Sequence, residues 1–355
     1  MRFLHVVNVR WYNATAWYAV NLSKILKDYG HDIIVLGLPG TPPLEKARQY
    51  SLETVGLDLN SNNPAKVFRN IYEVNKLLKR FNPDVVNCHR GEFFWYFAFK
   101  KIRNKNAFKL IRTRGDIREP KKSFFNNFIH SVCDRIITSA EIIKNKYVKN
   151  LGIDPSKISV VYGGVDNKKF AFSRSGRAKL REELGFGEKG YVVGIVGRFD
   201  YVKGHENLIK AVSKLYHGKG MENIRLVLIG YETNLSNEDI KNLLRENSIE
   251  EISVITGFRD DIADCLSALD VGVVASTGSE AVCRVAFELM AAGVPVVASD
   301  VGVLPEIIPE ENIYSKDDID GLADKIMHHS ENTFLFSEEK FYEDYMKAVK
   351  VNMWK

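Results

Sequence analysis

Residues 278–302, GSEAVCRVAFELMAAGVPVVASDVG, place two glutamates, Glu280 and Glu288, around the start of an apolar segment. The spacing predicts a helix from about Val282 that Gly293 stops, and Pro295 then opens a short branched run that reads as a buried strand. Glu280 falls in the loop before the helix and Glu288 inside it. Two readings compete for each: Glu280 as an acid favoured by the helix dipole and Glu288 as a solvent-facing position, or both as ligand-binding groups. The apolar run VAFELMAAGVPVVAS around Glu288 weighs against solvent.

Outward from that stretch the chain alternates strand-like and helix-like segments twice. RFLHVVNV, HDIIVLGL, PDVVNCH, FKLIRTR and DRIITSA form a first series of branched apolar runs. Between them lie patterned segments such as AVNLSKILKDYG, which Gly30 ends. A second series, YVVGIVGRF, IRLVLIG, ISVITGF, DVGVVAS and PVVASDVG, follows the polar stretch SRSGRAKLREELGFGEKG. Strands alternating with helices imply parallel sheets covered on both faces. The expected organisation is two Rossmann-like domains, 1–168 and 169–338, with the boundary near 166–188. A terminal helix within 339–355 is expected to pack back on the first domain.

The bulk properties agree with two ordinary globular domains: 355 residues, 45% hydrophobic, 27% charged and a formal charge of +5. That mild excess makes the location of the basic residues more informative than their number. Cys88, Cys133, Cys265 and Cys283 form no CxxC pair, which argues against a zinc or disulfide framework and for a reducing compartment. The amino end has too short an apolar run for a signal peptide, and no run of 18 apolar residues follows. A cytoplasmic location is expected.

Doubly wound sheets bind ligands at the carboxyl ends of their strands. A dinucleotide enzyme needs GxGxxG after its first strand, but RWYNATAWY and GIVGRFDYVKG both lack it. The second series offers Gly197 and Arg198 directly after a strand and Lys203 five residues later. These are either two solvated loop cations or an anion site in which a planar fork and a mobile point charge converge. Backbone N–H groups of Val282, Cys283 and Arg284 at the helix start suit phosphate. An ionised carboxylate suits vicinal hydroxyls, because it only accepts. A phosphate site flanked by two hydroxyl acceptors describes a nucleotide sugar.

Four stretches resemble the retaining GT-B glycosyltransferases of glycosyltransferase family 4. GRFDYVKGHENLIKAVSKL is similar to the family's donor-phosphate segment, and SEAVCRVAFELMAAGVPVVASDVGVLPEII to its E-x7-E segment. VYGGVDNKKF is similar to its interdomain segment and LKDYGHDIIVL to its first helix and second strand. The resemblance implies an α/β fold of two Rossmann-like parallel-sheet domains facing across a cleft, acceptor-binding first and donor-binding second. It implies that Arg198 and Lys203 hold the donor diphosphate and neutralise the leaving group, and that Glu288 binds ribose. Glu280 would lie beside the transferred sugar, with the backbone of Val282, Cys283 and Arg284 near its hydroxyls and the phosphate. It implies no metal and no cofactor beyond the nucleotide-diphosphate sugar as donor substrate. The sequence shows no metal-ligand cluster.

The departures lie in the first half. Asn13 and Ala14 stand where many members carry Gly-Gly. Arg114, in IRTRGDIREP, stands where a histidine is expected, and Gly163 where Asn is common. Arginine cannot serve as a base at neutral pH, so Arg114 either contacts an anion or pairs with Asp116 in a turn. Asp116 otherwise suits an acceptor hydroxyl. His89 follows the strand PDVVNC and is either structural or on the acceptor side.

The segments FFWYFAFKKIRNKNAFK and IREPKKSFFNNF interleave aromatics with Lys100, Lys101, Arg103, Lys105, Lys109, Lys121 and Lys122. One reading is a buried aromatic helix; the other is a basic rim on an anionic membrane. No nucleic-acid motif accompanies them. The expected partners are a nucleotide-sugar donor and a glycan or glycolipid acceptor, with peripheral contact to the inner face of the cytoplasmic membrane. The expected activity is transfer of a hexose to a growing glycan such as lipopolysaccharide, capsule or another lipid-linked acceptor. The rivals are a GT-B enzyme with a soluble acceptor and a non-catalytic sugar-nucleotide or membrane-binding relative.

Overall fold

The computed structural model describes residues 1–278 and 280–351. The chain divides into two compact units, Met1–Gly163 with the residues from Glu339, and Gly164–Glu338. The last four residues of the expected terminal helix, 352–355, lie outside the described residues.

In unit one the strands are β1 (Arg2–Val7), β2 (Asp32–Gly37), β3 (Glu53–Gly56), β4 (Val85–Cys88), β5 (Lys109–Arg114), β6 (Arg135–Thr138) and β7 (Ile158–Val160). They form one parallel sheet in the order β3-β2-β1-β4-β5-β6-β7. Phe3 sits opposite Ile33 on one side and Val85 on the other. These central strands are apolar because helices cover both faces of the sheet. The helix Ala14–Asp28 buries one of those faces through Tyr18, Leu22 and Ile25. The helix Glu338–Lys350 closes the unit: the Phe341 ring stands edge-on to Tyr18 at 4.8 Å, and the Tyr345 hydroxyl accepts from Asn87 Nδ2 at 3.0 Å.

Unit two contains β8 (Tyr191–Val196), β9 (Ile224–Ile229), β10 (Ser253–Gly257), β11 (Val271–Val274), β12 (Val296–Ser299) and β13 (Ile313–Tyr314), ordered β10-β9-β8-β11-β12-β13 and all parallel. Its core joins Val193, Leu226, Leu228, Val273 and Val297 from the strands to Leu208, Val212 and Ile326 from the helices.

The division falls earlier than the polar stretch suggests. Val165 is tied to its own unit by a backbone bond to the Phe336 carbonyl at 2.9 Å, and its carbonyl accepts from Glu338 at 3.1 Å. The polar stretch itself is ordered: Arg174–Glu183 is a helix whose Arg177 and Arg181 grip Asp270, the latter at 2.6 Å. Arg181 also donates to the carbonyls of Ala268, Glu188 and Gly190, so a buried arginine here is a clamp and not a linker charge.

Strand order reverses between β8 and β11 in unit two and between β1 and β4 in unit one. At such a point neighbouring connections leave to opposite faces and open a crevice beyond the carboxyl ends of the strands. In unit two the crevice is drawn tight by Gly204, at φ 71°, which follows the single turn Tyr201–Lys203. A Cβ there would overlap the backbone carbonyl of Ala275, just past β11. Gly204→Ala is therefore expected to destabilise the protein by about 2 kcal/mol or more, read as a lower denaturant midpoint with unchanged slope. Wild-type stability in that variant would mean that the two loops are not held together at this point.

Candidate functional site

The loops at the β8–β11 switch point carry four of the residues singled out above: Gly197, Arg198, Lys203 and Glu280. Gly197 leaves β8 with its N–H still bonded to the Ile229 carbonyl at 2.9 Å. Arg198 follows, half exposed, its Nη2 2.9 Å from Asp200 Oδ2. Asp200 caps the next turn by accepting from Val202 N–H, which presents Lys203. Lys203 Nζ donates to Glu280 Oε1 at 2.6 Å, and Ser276 Oγ donates to the same oxygen at 2.6 Å. Ser299 Oγ in turn donates to the Ser276 carbonyl. Glu280 is only 6% exposed.

The backbone fixes that carboxylate as firmly as the side chains do. Thr277 N–H bonds to the Val202 carbonyl, and Val303 N–H bonds to the Glu280 carbonyl at 2.9 Å. Gly302, at φ 64°, passes so close to the Glu280 carbonyl that a side chain would not fit. Burial works against the Lys203 charge, but the Glu280 charge and hydrogen bond and the nearby Cys283 thiol outweigh it and raise the lysine pKa. Lys203 is thus a fixed cation.

The helix begins at Arg284, two residues later than its apolar spacing suggests, because Cys283 adopts a left-handed conformation with φ 43°. Its side chain does not cap the helix. Val282 and Cys283 are buried, so neither side chain is open to a ligand. Burial raises the Cys283 thiol pKa, with the Glu280 charge adding to it, and so removes that thiol as a nucleophile. Glu288 is 5% exposed, and its Oε1 lies 3.0 Å from Arg284 Nε one turn back. Burial raises its pKa, while Arg284 and Lys169 pull the other way. A carboxylate so placed is costly to the fold.

Asp200 and Ser276 were not singled out in the sequence. Both stand within four residues of a chosen one, in RFDY and STGSE, and the spacing to Arg198 and Glu280 was the available signal.

The unit-one candidates are distributed differently. Asn13 caps the first helix, its side chain accepting from Ala16 N–H at 3.1 Å, and Ala14 is exposed beside it. His89 is 1% exposed, with its ring 5.0 Å from that of His5 and neither nitrogen hydrogen-bonded. Burial, with help from the charges of His5 and Arg112, lowers its pKa well below the usual value, so it is neutral and internal. Arg114 donates to the carbonyls of Asp116 and Arg118, and Asp116 is gripped by Arg118. Arg114 lies 3.9 Å from the Asp116 carboxylate, so the turn pairing is present. Burial opposes the Asp116 charge, but the Arg118 hydrogen bonds and the Arg114 charge bring its pKa down to about 2.

The aromatic segment is sorted by burial. Phe93, Phe94, Tyr96 and Phe97 are core, which bears the buried-helix reading for them. Lys101 belongs with them as a correction to the basic rim: it pairs with Asp134 at 2.9 Å and donates to the Phe108 carbonyl. Lys109 likewise donates to the Val349 carbonyl. Arg103, Lys105, Lys121 and Lys122 are exposed and Lys100 is half-buried. Phe124 beside them is 89% exposed, and Phe125 and Phe128 are also exposed. Among the described residues no helix is long and apolar enough to cross a membrane, and no group of three or more His, Cys, Asp or Glu is placed to hold a metal ion.

Two family models match the chain in succession: Glycosyltransferase Family 4 over residues 15–169 and Glycosyl transferases group 1 over residues 190–332. A curated relative, D-inositol 3-phosphate glycosyltransferase of Mycobacterium sp. (strain KMS), is 32% identical over 239 residues, which cover 62% of this chain and 52% of that protein. The chain spans about half the length of the curated relatives it matches. Among solved structures, Anabaena Alr3699/HepE in complex with UDP superposes with a TM-score of 0.83 at 18% identity, over 99% of this chain and 100% of that one. The apo lipopolysaccharide outer core galactosyltransferase WaaB gives 0.74 at 16% identity over 99% and 100%. At these identities the likeness is one of fold.

The burial of Glu288 generates a test. A carboxyl whose folded pKa is raised contributes stability that is complete below its unfolded pKa and is lost as pH rises through its folded pKa. Glu288→Gln does not titrate, so its melting temperature should gain on wild type as pH rises from 4 to 7, in calorimetry without nucleotide. A variant that is less stable by a constant margin across that range would contradict the electrostatic reading of the site.

Proposed function

Because the chain belongs to glycosyltransferase family 4, the group 1 glycosyl transferases of GT-B fold, we propose that it moves a sugar, with retention, from a nucleotide-diphosphate sugar to a hydroxyl of a growing glycan. The observation that carries this reading is the convergence of Arg198, Lys203 and Glu280 at the unit-two switch point. Unit two is the donor side. Lys203 and the Arg198 fork take the diphosphate, and the N–H groups at the start of the helix Arg284–Ala291 lie to the same end of the sheet. Glu280, already aligned by Lys203 and Ser276, accepts from hydroxyls of the transferred sugar. Glu288 accepts from the ribose, in the buried position where a carboxylate is costly to the fold.

The chemistry asks for charge stabilisation more than for a nucleophile. The bond between anomeric carbon and phosphate oxygen breaks with its electron pair on the phosphate. The acceptor oxygen then bonds to the same face of that carbon, and its proton passes to the leaving phosphate. Fixed cations at the leaving oxygens lower that barrier without reorganising, and the low exposure of Glu280 keeps water from competing for the sugar. A UDP-bound relative supports uridine as the first base to try.

Unit one is the acceptor side. A lipid-linked acceptor is supported by the exposed Phe124, Phe125 and Phe128 on the helix Phe124–Ser131, beside Lys121 and Lys122. Aromatics seat at an interface, and each lysine near an anionic surface contributes about 1 kcal/mol. A lipopolysaccharide transferase among the structural neighbours points the same way. The proposed location is the inner face of the cytoplasmic membrane.

The test is transfer from radiolabelled UDP-hexoses to cell-envelope lipid extract in anionic vesicles. Lys203→Ala and Arg198→Ala should each lower the rate by about 10²–10³, Lys203→Ala with a lower melting temperature as well because it leaves the buried Glu280 without its charge partner. Phe124→Ser should slow transfer to vesicles but leave donor hydrolysis alone. Turnover that is indifferent to both cations would overturn the donor assignment, and transfer to soluble acceptors alone would overturn the lipid one.

A further inference from the structure

Unit one holds a cavity of about 710 Å³ between the end of β5, the loop after it and the helices Phe94–Arg103, Phe124–Ser131 and Glu141–Leu151. That volume suits a small organic ligand. Four arginines line it, and three of them are compensated nearby. Arg90 pairs with Glu92 at 3.1 Å, Arg118 pairs with Asp116, and Arg114 spends its donors on two carbonyls with the Asp116 carboxylate at 3.9 Å. The acid Glu119 is engaged by Asn150.

Arg112 is different. It is 2% exposed, its Nη1 donates to the carbonyls of Cys88 and Thr113, and its Nε has no partner. Among the described residues no carboxylate lies within ion-pair distance of it. The guanidinium carbon lies over the Phe94 ring, 5.6 Å from its centroid. Beside it His130, 5% exposed, has Nδ1 bonded to the Asn126 carbonyl and Nε2 unpartnered. Burial, reinforced by the Arg112 charge, drives the His130 pKa to about 4, so the ring stays neutral.

A buried full charge without a counter-charge is among the costliest features a fold can carry. Arg112 and His130 both line this one cavity, whose other walls include Trp95, Phe125 and Tyr147. Flat aromatic walls accept the apolar face of a sugar ring, and a guanidinium accepts a phosphate or carboxylate.

We propose that this cavity binds the anionic substituent of the acceptor, a phosphate monoester or carboxylate borne on a sugar or polyol, with Arg112 as its counter-charge. The proposal rests on the reading of unit one as the acceptor side and adds the chemical class of that acceptor. Arg112 and His130 are specificity residues here, and the transfer chemistry stays in unit two. Arg114, in the position where the family resemblance led one to expect histidine, then belongs to the wall of an anion pocket.

The test measures melting temperature of the full chain with glucose 6-phosphate, glucose and phosphatidate or phosphatidylcholine vesicles, each with and without saturating UDP. Glucose 6-phosphate, but not glucose, should stabilise the protein whether or not UDP is present. Arg112→Gln should weaken that response at least tenfold. Arg118→Ala, at the exposed rim, keeps the test open should Arg112→Gln fail to fold, and should weaken it severalfold. A response dependent on Arg112 or Arg118 to the soluble phosphate alone assigns a soluble source, and one to phosphatidate vesicles assigns a lipid headgroup. Equal responses to phosphate and parent sugar, no response to either phosphate, or a response abolished by UDP would overturn the proposal. If UDP gives no shift while glucose 6-phosphate acts through Arg112, the donor reading fails and this one stands.

Discussion

The hydrogen bond between Lys203 and Glu280, at 2.6 Å, joins the loop after β8 to the loop after β11 and gives the crevice of unit two its charge pattern. Such a pair is a poor investment in stability, since desolvation offsets much of the Coulomb attraction in a buried setting. Its surroundings nevertheless hold it rigidly: Ser276 satisfies the carboxylate, Ser299 orients Ser276, and Gly302 and Gly204 bring the neighbouring backbones into contact. On the donor-site reading, a diphosphate and a sugar met together need a cation and a carboxylate within one hydrogen bond of each other and unable to drift. The strand order of the sheet brings them there, and the loops keep them there.

The same logic separates the two glutamates quoted at the outset. Glu280 is held by two donors, the Lys203 amine and the Ser276 hydroxyl, whereas Glu288 has one ion pair with a half-exposed arginine and a raised pKa. One carboxylate is compensated within the fold and the other is left costly. That difference fits a sugar-facing group that must be aligned and a ribose-facing group whose partner comes with the donor.

Much of this was legible in the sequence. All ten branched apolar runs became strands, nine of them inside a sheet and ISVITGF at an edge as β10, because residues buried on both faces of a parallel sheet have to be apolar throughout. The edge strand β3, ETVG, carries no such run, and β7 and β13 are three and two residues long, so periodicity had nothing to register. The helix Arg174–Glu183 read only as a polar stretch because its packing is done by arginines on Asp270, which composition cannot distinguish from solvated charge. Residues chosen at strand ends in unit two were brought together. In unit one His89 turned inward, since a strand-end position does not say which way a side chain points, and Lys101, on the helix Phe94–Arg103, was taken up by Asp134. Arg112 was invisible for the opposite reason: inside a strand it reads as an alternating polar residue, and only the tertiary packing reveals that no carboxylate among the described residues meets it.

The central claim is that unit two binds the diphosphate of a nucleotide sugar through Arg198 and Lys203 with Glu288 on the ribose. The most direct measurement is a thermal-shift panel of UDP, GDP and ADP against their monophosphates, on wild type, Lys203→Ala and Glu288→Ala. The account predicts that one diphosphate stabilises wild type by about 2.7 kcal/mol at 100 times its dissociation constant, exceeds its monophosphate, and loses the effect in both variants. Stabilisation that survives both substitutions, or none from any nucleotide, would contradict it.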